Sequence, residues 1–332
     1  MIYYERFKNE KINLIQDSLK LEKIPDKIYF GPDYKDYISN SYMGLINPDE
    51  GGSPFEYKYA SRISNTSYFN YGSIIHGKIL EGIEPELIIG DIPTSKDVNN
   101  AIVLYANLLK NGTPEEDSFN EAYKESGYKN ISTFVKKIVL YENYIQSIIN
   151  PKENSYFIDK ATFDDIKRAE ISIALLDNEI NNNSSNIESF NELALTGEFN
   201  YSNNWKEEIS INLPVKIKID NFKVDHDKKL IVLNDLKTTS TRLDEFMDSS
   251  FIKFHYYRQF AFYGYLLYNL MVRDGDYRIQ ANVYVLNKQT GSYKSFQINK
   301  KLVSRGFDEF QGLIKRIGFH ESYGYDTLRE DI

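Results

Sequence analysis

The chain has 332 residues, a net charge of −8 and no cysteine. Its length allows one large domain or two modest ones, and its 27 Tyr and 20 Phe exclude an intrinsically disordered chain. The lack of cysteine excludes disulfide frameworks, thiolate zinc sites, iron–sulfur clusters and cysteine nucleophiles. We find no signal peptide and no apolar run of about 18 residues, so we expect a cytoplasmic protein without a membrane span.

The first half of the chain is predicted to be mostly helical. A serine-capped short helix is predicted from Ser41 to Ile46, ending near Pro48. Apolar residues then recur at helical spacing in further segments, over 71–82, 96–110, 118–126, 132–149 and 162–180. A polar loop at 181–186 separates these helices from the second half.

The second half changes to the alternation of apolar and polar residues that is typical of strands. Strands are predicted from Glu192, near 208–211, over Pro214–Asp220 and over Leu230–Lys237. A helix over 251–272, strands over 279–286 and 293–298, and a closing helix over 301–317 follow. Helices followed by a β-β-β-α-β order predict an α/β fold of mixed α+β type, with a helical N-terminal elaboration.

The hairpin over 214–237 holds the clearest candidate site. If Asp227 and Lys228 are the central turn residues, Asp220 lies opposite Asp235, and Lys237 emerges on the same face as Asp235. Two facing carboxylates require a cation between them, a raised pKa or a different register. Oxygen ligands suit Mg²⁺ or Mn²⁺, and a nearby lysine can stabilise charge on a phosphate, which favours metal-assisted phosphodiester hydrolysis. The same spacing also fits two surface aspartates and a lysine at a strand end.

These residues resemble the signature of the PD-(D/E)XK nucleases. Ile219-Asp220, followed by residues 234–239 (N-D-L-K-T-T), is similar to the RecE-type (exodeoxyribonuclease VIII), RecB-like and lambda-exonuclease-like branch, with Ile219 in place of the proline. The branch is expected to have a restriction-endonuclease-like core, with a central mixed sheet between helices.

Two helices add to the resemblance. Gln259 and Tyr263 match the Q-x-x-x-Y motif and share one helix face. Residues 72–81 (G-S-I-I-H-G-K-I-L-E) resemble the G-x-x-x-H-x-x-L-E helix, with one additional residue between the histidine and the leucine, and His76 corresponds to an additional metal ligand. Glu192 fits the acidic residue that precedes the aspartates, although other glutamates compete with it for this assignment, namely Glu188, Glu198 and Glu208.

The resemblance implies a set of site residues. The implied catalytic residues are Asp220, Asp235, Lys237, Glu192, Gln259 and Tyr263. The implied ligands of Mg²⁺ or Mn²⁺ are His76, Asp220, Asp235, Glu192 and the carbonyl of Leu236. The residues expected to contact DNA are Lys78, Lys216, Lys218, Thr238, Thr239 and Arg258. Because the net charge is negative, we expect these cations to form a local basic groove that leads to Asp235.

The resemblance also implies a function and a domain arrangement. We expect a DNA exonuclease acting 5′→3′ on linear duplexes in phage-type recombination, with a single-strand annealing protein as partner and a possible homo-oligomeric ring. We expect one nuclease domain over 1–332, with an N-terminal part (1–95), a helical insert (96–186) and a catalytic core (187–320). A structure-specific endonuclease of the same superfamily and a catalytically inactive DNA-binding protein with this fold stay open as alternatives.

Overall fold

The computed structural model describes residues 11–60, 70–181, 186–204, 208–271 and 277–325. These residues form a mixed α/β structure with a mostly antiparallel central sheet flanked by helices. The chain divides into two compact units. The first unit contains residues 1–65, 178–287 and 293–332, and the second contains residues 66–177 and 288–292.

The central sheet lies in the first unit and has the strand order β1-β4-β5-β6-β7-β8. Its neighbouring strands are antiparallel except for β6 and β7, which are parallel. The strands are β1 (Lys11–Glu22), β2 (Glu86–Ile89), β3 (Ser155–Ile158), β4 (Ile187–Asn203), β5 (Ile209–Asp225), β6 (Leu230–Thr239), β7 (Arg278–Asn287) and β8 (Tyr293–Gln297). The predicted hairpin therefore lies in the middle of this sheet.

The helices include two that pack on the central sheet and a group that builds the second unit. They are α1 (Asp26–Tyr29), α2 (Asn40–Ile46), α3 (Pro54–Tyr59), α4 (Asn70–Leu80), α5 (Lys96–Lys110), α6 (Glu115–Glu125), α7 (Ile131–Leu140), α8 (Glu142–Ile149), α9 (Lys160–Asn181), α10 (Tyr256–Met271) and α11 (Lys300–Tyr323). Within the described ranges, no helix is both long and apolar enough to cross a membrane.

Most predicted elements are present, with shifted ends. The helix predicted from Ser41 begins at Asn40, because the hydroxyl of Ser39 accepts the N–H of Tyr42 and caps it. The helix predicted over 132–149 was wrong as a single element, since it is interrupted at Tyr141. The prediction that the first half is mostly helical was also wrong for residues 11–22, because they form β1 and pair with β4.

Helices α10 and α11 pack against the central sheet and bury its main apolar cluster. The rings of Phe199 on β4 and Tyr265 on α10 stack 6.1 Å apart. Gly318 allows α11 to approach β4, because a Cβ there would lie 2.4 Å from the ring of Tyr201. Each large side chain buried in this way contributes roughly 1.5–3 kcal/mol. The packing fixes α10 beside the middle strands.

The second unit has its own core. Strands β2 and β3 form a two-stranded parallel sheet. The ring of Phe134 on α7 is fully buried. Its centre lies 5.3–6.3 Å from the ring centres of Phe119, Tyr123 and Tyr128. These contacts join α6 and α7, so the unit has the apolar interior that a compact body requires. Whether the chain acts as one nuclease domain stays a prediction.

Candidate active site

The register of the β5–β6 hairpin places Asp220 and Asp235 at the next facing positions after the last ladder pair. Antiparallel pairing runs from Asp225–Leu230 to Asn221–Asn234 and follows the register that we predicted. Beyond this pair, a carboxylate oxygen of Asp220 (Oδ2) accepts the backbone N–H of Leu236 at 2.8 Å. The side chain of Asp220 thus bonds to the β6 backbone where the β5–β6 ladder has ended.

Glu192 lies opposite Asp220 on the other neighbouring strand. Pairing of β4 with β5 keeps one register across this point, with Asn191 opposite Asn221 and Leu193 opposite Ile219. Glu192 itself has a left-handed backbone (φ 54°), which costs a non-glycine residue about 1–3 kcal/mol. Carboxylate oxygens of Glu192 and Asp220 lie within 4.8 Å of each other. We call Glu192, Asp220 and Asp235 the carboxylate row.

Lys237 adds a positive charge beside this row. Its ammonium nitrogen lies 2.6 Å from Oδ2 of Asp235, which confirms that the two side chains share a face of β6. The ammonium also lies 5.1 Å from the centre of the Tyr256 ring. Burial alone would lower the pKa of Lys237, but the carboxylates of Asp235 and Asp220 outweigh burial and raise that pKa. Lys237 is therefore a cation at neutral pH.

Helix α10 contributes two polar side chains to the same place. The amide of Gln259 donates to Oδ1 of Asp235 at 2.6 Å, so Gln259 orients Asp235 rather than Lys237. Burial, followed by the charges of Tyr29, Asp235 and Asp220, raises the pKa of Tyr263 well above its ordinary value. The phenol of Tyr263 stays protonated and can donate a hydrogen bond.

Lys218 neutralises part of the carboxylate row. Its ammonium nitrogen lies 2.5 Å from Oε2 of Glu192 and also pairs with Asp26, which begins α1. Burial would lower the pKa of Lys218, but these two carboxylates raise it. Lys218 was expected to contact DNA, and in this structure its charge is already balanced by two protein carboxylates.

Two other residues that we predicted to contact DNA have buried side chains. Lys216 is 3% exposed, and its ammonium donates to the carbonyl of Tyr29 at 2.7 Å and lies 4.5 Å from the ring centre of that residue. Arg258 is 1% exposed and pairs with Glu50 and, at 2.9 Å, with Glu309. Neither cation is accessible to a phosphate backbone.

The remaining predicted residues lie at several places in the chain. Lys78, on α4 of the second unit, forms a 2.5 Å ion pair with Glu84. His76 is half-buried on the same helix. Thr238 and Thr239 are half-buried at the end of β6, opposite β7. Each of the cations that we expected in a basic groove, and Lys237 as well, has a protein partner, and the groove stays a prediction.

A second group of acidic and histidine side chains surrounds Arg258. Oε1 of Glu309 lies 2.7 Å from Nδ1 of His255, and carboxylate oxygens of Glu50 and Glu309 are close enough to share a cation with it. The guanidinium of Arg258 already supplies the positive charge at this place. We therefore interpret the group as a structural anchor for α10. The sequence did not indicate it, because the partners of Arg258 lie 208 and 51 residues away.

No family model and no curated protein matches the sequence. One solved structure with partial similarity is a "Putative exonuclease" from Eubacterium rectale, with 12% identity, a TM-score of 0.40, and coverage of 89% of this chain and 85% of that chain. Another is the protein SSO0001, with 14% identity, a TM-score of 0.26, and coverage of 73% and 84%. Both TM-scores are too low to establish a shared fold.

Proposed function

We propose that the chain is a divalent-metal-dependent deoxyribonuclease of the PD-(D/E)XK type. The observation that supports this most is the carboxylate row beside a charged lysine. Asp220 and Asp235 occupy facing register positions, Glu192 lies opposite Asp220, and Lys237 lies 2.6 Å from Asp235. Three carboxylates and one ammonium at a single point of a sheet match the needs of phosphodiester hydrolysis, in which negative charge develops on phosphate oxygens.

The donor atoms fit a hard divalent cation. Carboxylates prefer Mg²⁺ or Mn²⁺ over softer metals. Glu192, Asp220 and Asp235, with the carbonyl of Leu236, would hold it, and the ion would polarise a phosphoryl oxygen and lower the pKa of a water. The resemblance also assigns His76 to the metal.

The protein groups have separable roles in this proposal. Lys237 would orient the attacking water by donating to it and would stabilise the charge that develops on the phosphoryl oxygens. We assign it as a donor rather than as the general base, because the neighbouring carboxylates raise its pKa in the metal-free protein. Gln259 holds Asp235, and the N–H of Leu236 holds Asp220, so both carboxylates are oriented before substrate binds. The phenol of Tyr263 would donate to the scissile strand.

The finer description of the substrate rests on the sequence resemblance. We propose that the substrate is linear duplex DNA, degraded 5′→3′ from an end during phage-type recombination. The same resemblance supports a single-strand annealing protein as partner and a homo-oligomeric ring as the working form.

A cleavage assay on two DNA forms tests this function. We expect the purified chain to degrade a linear duplex labelled at either end in Mg²⁺ or Mn²⁺, and to lose this activity in EDTA. A covalently closed circle of the same sequence should stay intact, because an exonuclease requires an end. Cleavage of the circle would favour a structure-specific endonuclease, and no cleavage of either form would contradict nuclease activity.

A further inference from the structure

Four neighbouring strands carry asparagines that face one another. Asn191 on β4, Asn221 on β5, Asn234 on β6 and Asn282 on β7 are consecutive register partners. Their amides form a chain, in which Asn221 donates to Asn191 at 2.6 Å, Asn234 donates to Asn221 at 2.6 Å, and Asn282 donates to Asn234 at 3.1 Å. We call these residues the asparagine row.

The asparagine row is buried at its centre and bonded at both ends. Asn221 is 0% exposed and Asn234 is 3% exposed. Asn191 donates onward to Asn181 at 2.8 Å, and Gln280 donates to Asn282 at 3.2 Å. A buried amide costs about 1–3 kcal/mol when it loses its partner, so a one-residue slip of any strand would be penalised.

The asparagine row lies directly beside the carboxylate row. Asn191 precedes Glu192, Asn221 follows Asp220, and Asn234 precedes Asp235. Successive side chains of a strand point to opposite faces, so Asn234 lies on the face of β6 opposite that of Asp235. On β6 the amide bonds therefore lie on the face opposite the carboxylate of Asp235.

The ladder pairing is interrupted where the carboxylates are. The ladder pairs of β4–β5 skip Glu192 and Asp220, and the β5–β6 ladder ends at Asn221–Asn234. The buried apolar residues of β5 also change there from odd positions, Ile217 and Ile219, to even positions, Phe222 and Val224. The side-chain bonds of the asparagine row join the strands beside this interruption.

We propose that the asparagine row is a positioning element, which fixes β4, β5 and β6 so that Glu192, Asp220 and Asp235 stay aligned. Its importance for catalysis rests on the proposed nuclease function. Its effect on the position of the carboxylates does not, because the amide bonds need neither metal nor DNA.

Hydrogen exchange at the Leu236 amide tests this proposal without metal. That N–H is protected by its bond to Asp220, so its exchange rate reports whether Asp220 is in place. We expect Asn221→Ser, and the milder Asn191→Ser at a half-buried position, to accelerate its exchange about tenfold or more, a change of the size that follows loss of a buried hydrogen bond. Amides of the β6–β7 ladder should keep their protection.

A control asparagine pair, more exposed than Asn221, lies on the same two strands. Asn200 donates to Asn212 at 3.1 Å, and these asparagines are also register partners of β4 and β5, far from the carboxylate row. Asn212→Ser should leave Leu236 exchange unchanged. Equal acceleration in Asn212→Ser, no acceleration in the other variants, or uniform acceleration of all strand amides would overturn the proposal. Local acceleration in a chain that cleaves no DNA would support the positioning role and contradict the proposed function.

Discussion

The acidic residues of the candidate site are already paired with lysines of the chain. Glu192 bonds to Lys218, and Asp235 bonds to Lys237. Glu192 and Asp235 therefore each face a positive charge of the chain before any metal cation binds. The same pairing raises the pKa of both lysines. In a site of this kind, the carboxylates can act as metal ligands. The ammonium groups beside them can then contact the phosphate of a substrate.

The charge of Lys237 makes a prediction about pH. Because the pKa of Lys237 is higher in the folded than in the unfolded state, its protonation adds to the free energy of unfolding. This contribution is fully present below the pKa of an unfolded lysine, about 10.4, and is lost as pH rises through the higher pKa of the folded state. We expect the Cε resonance of Lys237, followed by nuclear magnetic resonance in the metal-free protein, to show no titration from pH 6 to about pH 10.

The exposed turn provides the comparison for this titration. Lys228 is also paired with an aspartate, Asp225, but its side chain is 70% exposed. Both lysines should stay protonated at neutral pH. When Asp235 is replaced by Asn, only the pKa of Lys237 should fall, and that of Lys228 should stay the same. A titration of Lys237 near neutral pH would mean that it can act as a general base and would contradict its assigned role.

At the scale of elements, the position of α10 depends on a buried arginine. Arg258 joins this helix to Glu50 in the N-terminal segment and to Glu309 on α11. Burial would raise the pKa of Glu50, but the hydrogen bond and charge of Arg258 lower it. Gln259, the next residue, holds Asp235, so the anchor and the site share one turn of helix.

Removing this anchor should destabilise the fold. We expect Arg258→Ala to lower the free energy of unfolding by about 3–5 kcal/mol, because it leaves two partly buried carboxylates without their cation. Urea unfolding followed by circular dichroism measures the change. Arg242→Ala removes an exposed arginine that is paired with Asp244, and should leave the urea midpoint unchanged. Equal midpoints for the wild type and Arg258→Ala would contradict the anchoring role.

The hairpin could be predicted from the sequence, because its turn is short and its register follows from the turn position. Strand β1 could not, since its pairing with β4 shifts between Ile15 and Lys20 and so interrupts the period-two pattern. Lys216 and Arg258 were assigned to DNA because cations are normally exposed, whereas the structure buries both beside partners that are distant in sequence. Local pattern thus predicted the β5–β6 register, while long-range pairing decided which cations are accessible.

For the whole molecule, the net charge of −8 has to be reconciled with a polyanionic substrate. Several cations near the candidate site are paired with protein acids, as Lys218 is with Glu192 and Lys237 is with Asp235. DNA binding at the candidate site would therefore depend on the metal-loaded carboxylate row more than on these two lysines.

The central claim is that the carboxylate row and Lys237 hydrolyse DNA. One gel assay tests it most directly, comparing Mg²⁺-dependent cleavage of a labelled linear duplex by the wild type, Asp235→Asn and Lys237→Ala. Asp227→Asn and Lys228→Ala, in the exposed turn of the same hairpin, are matched controls. We predict that both site variants fold, as judged by circular dichroism, and cleave at least about 100-fold more slowly, while both controls cleave at the wild-type rate. Wild-type cleavage by the two site variants would contradict the claim.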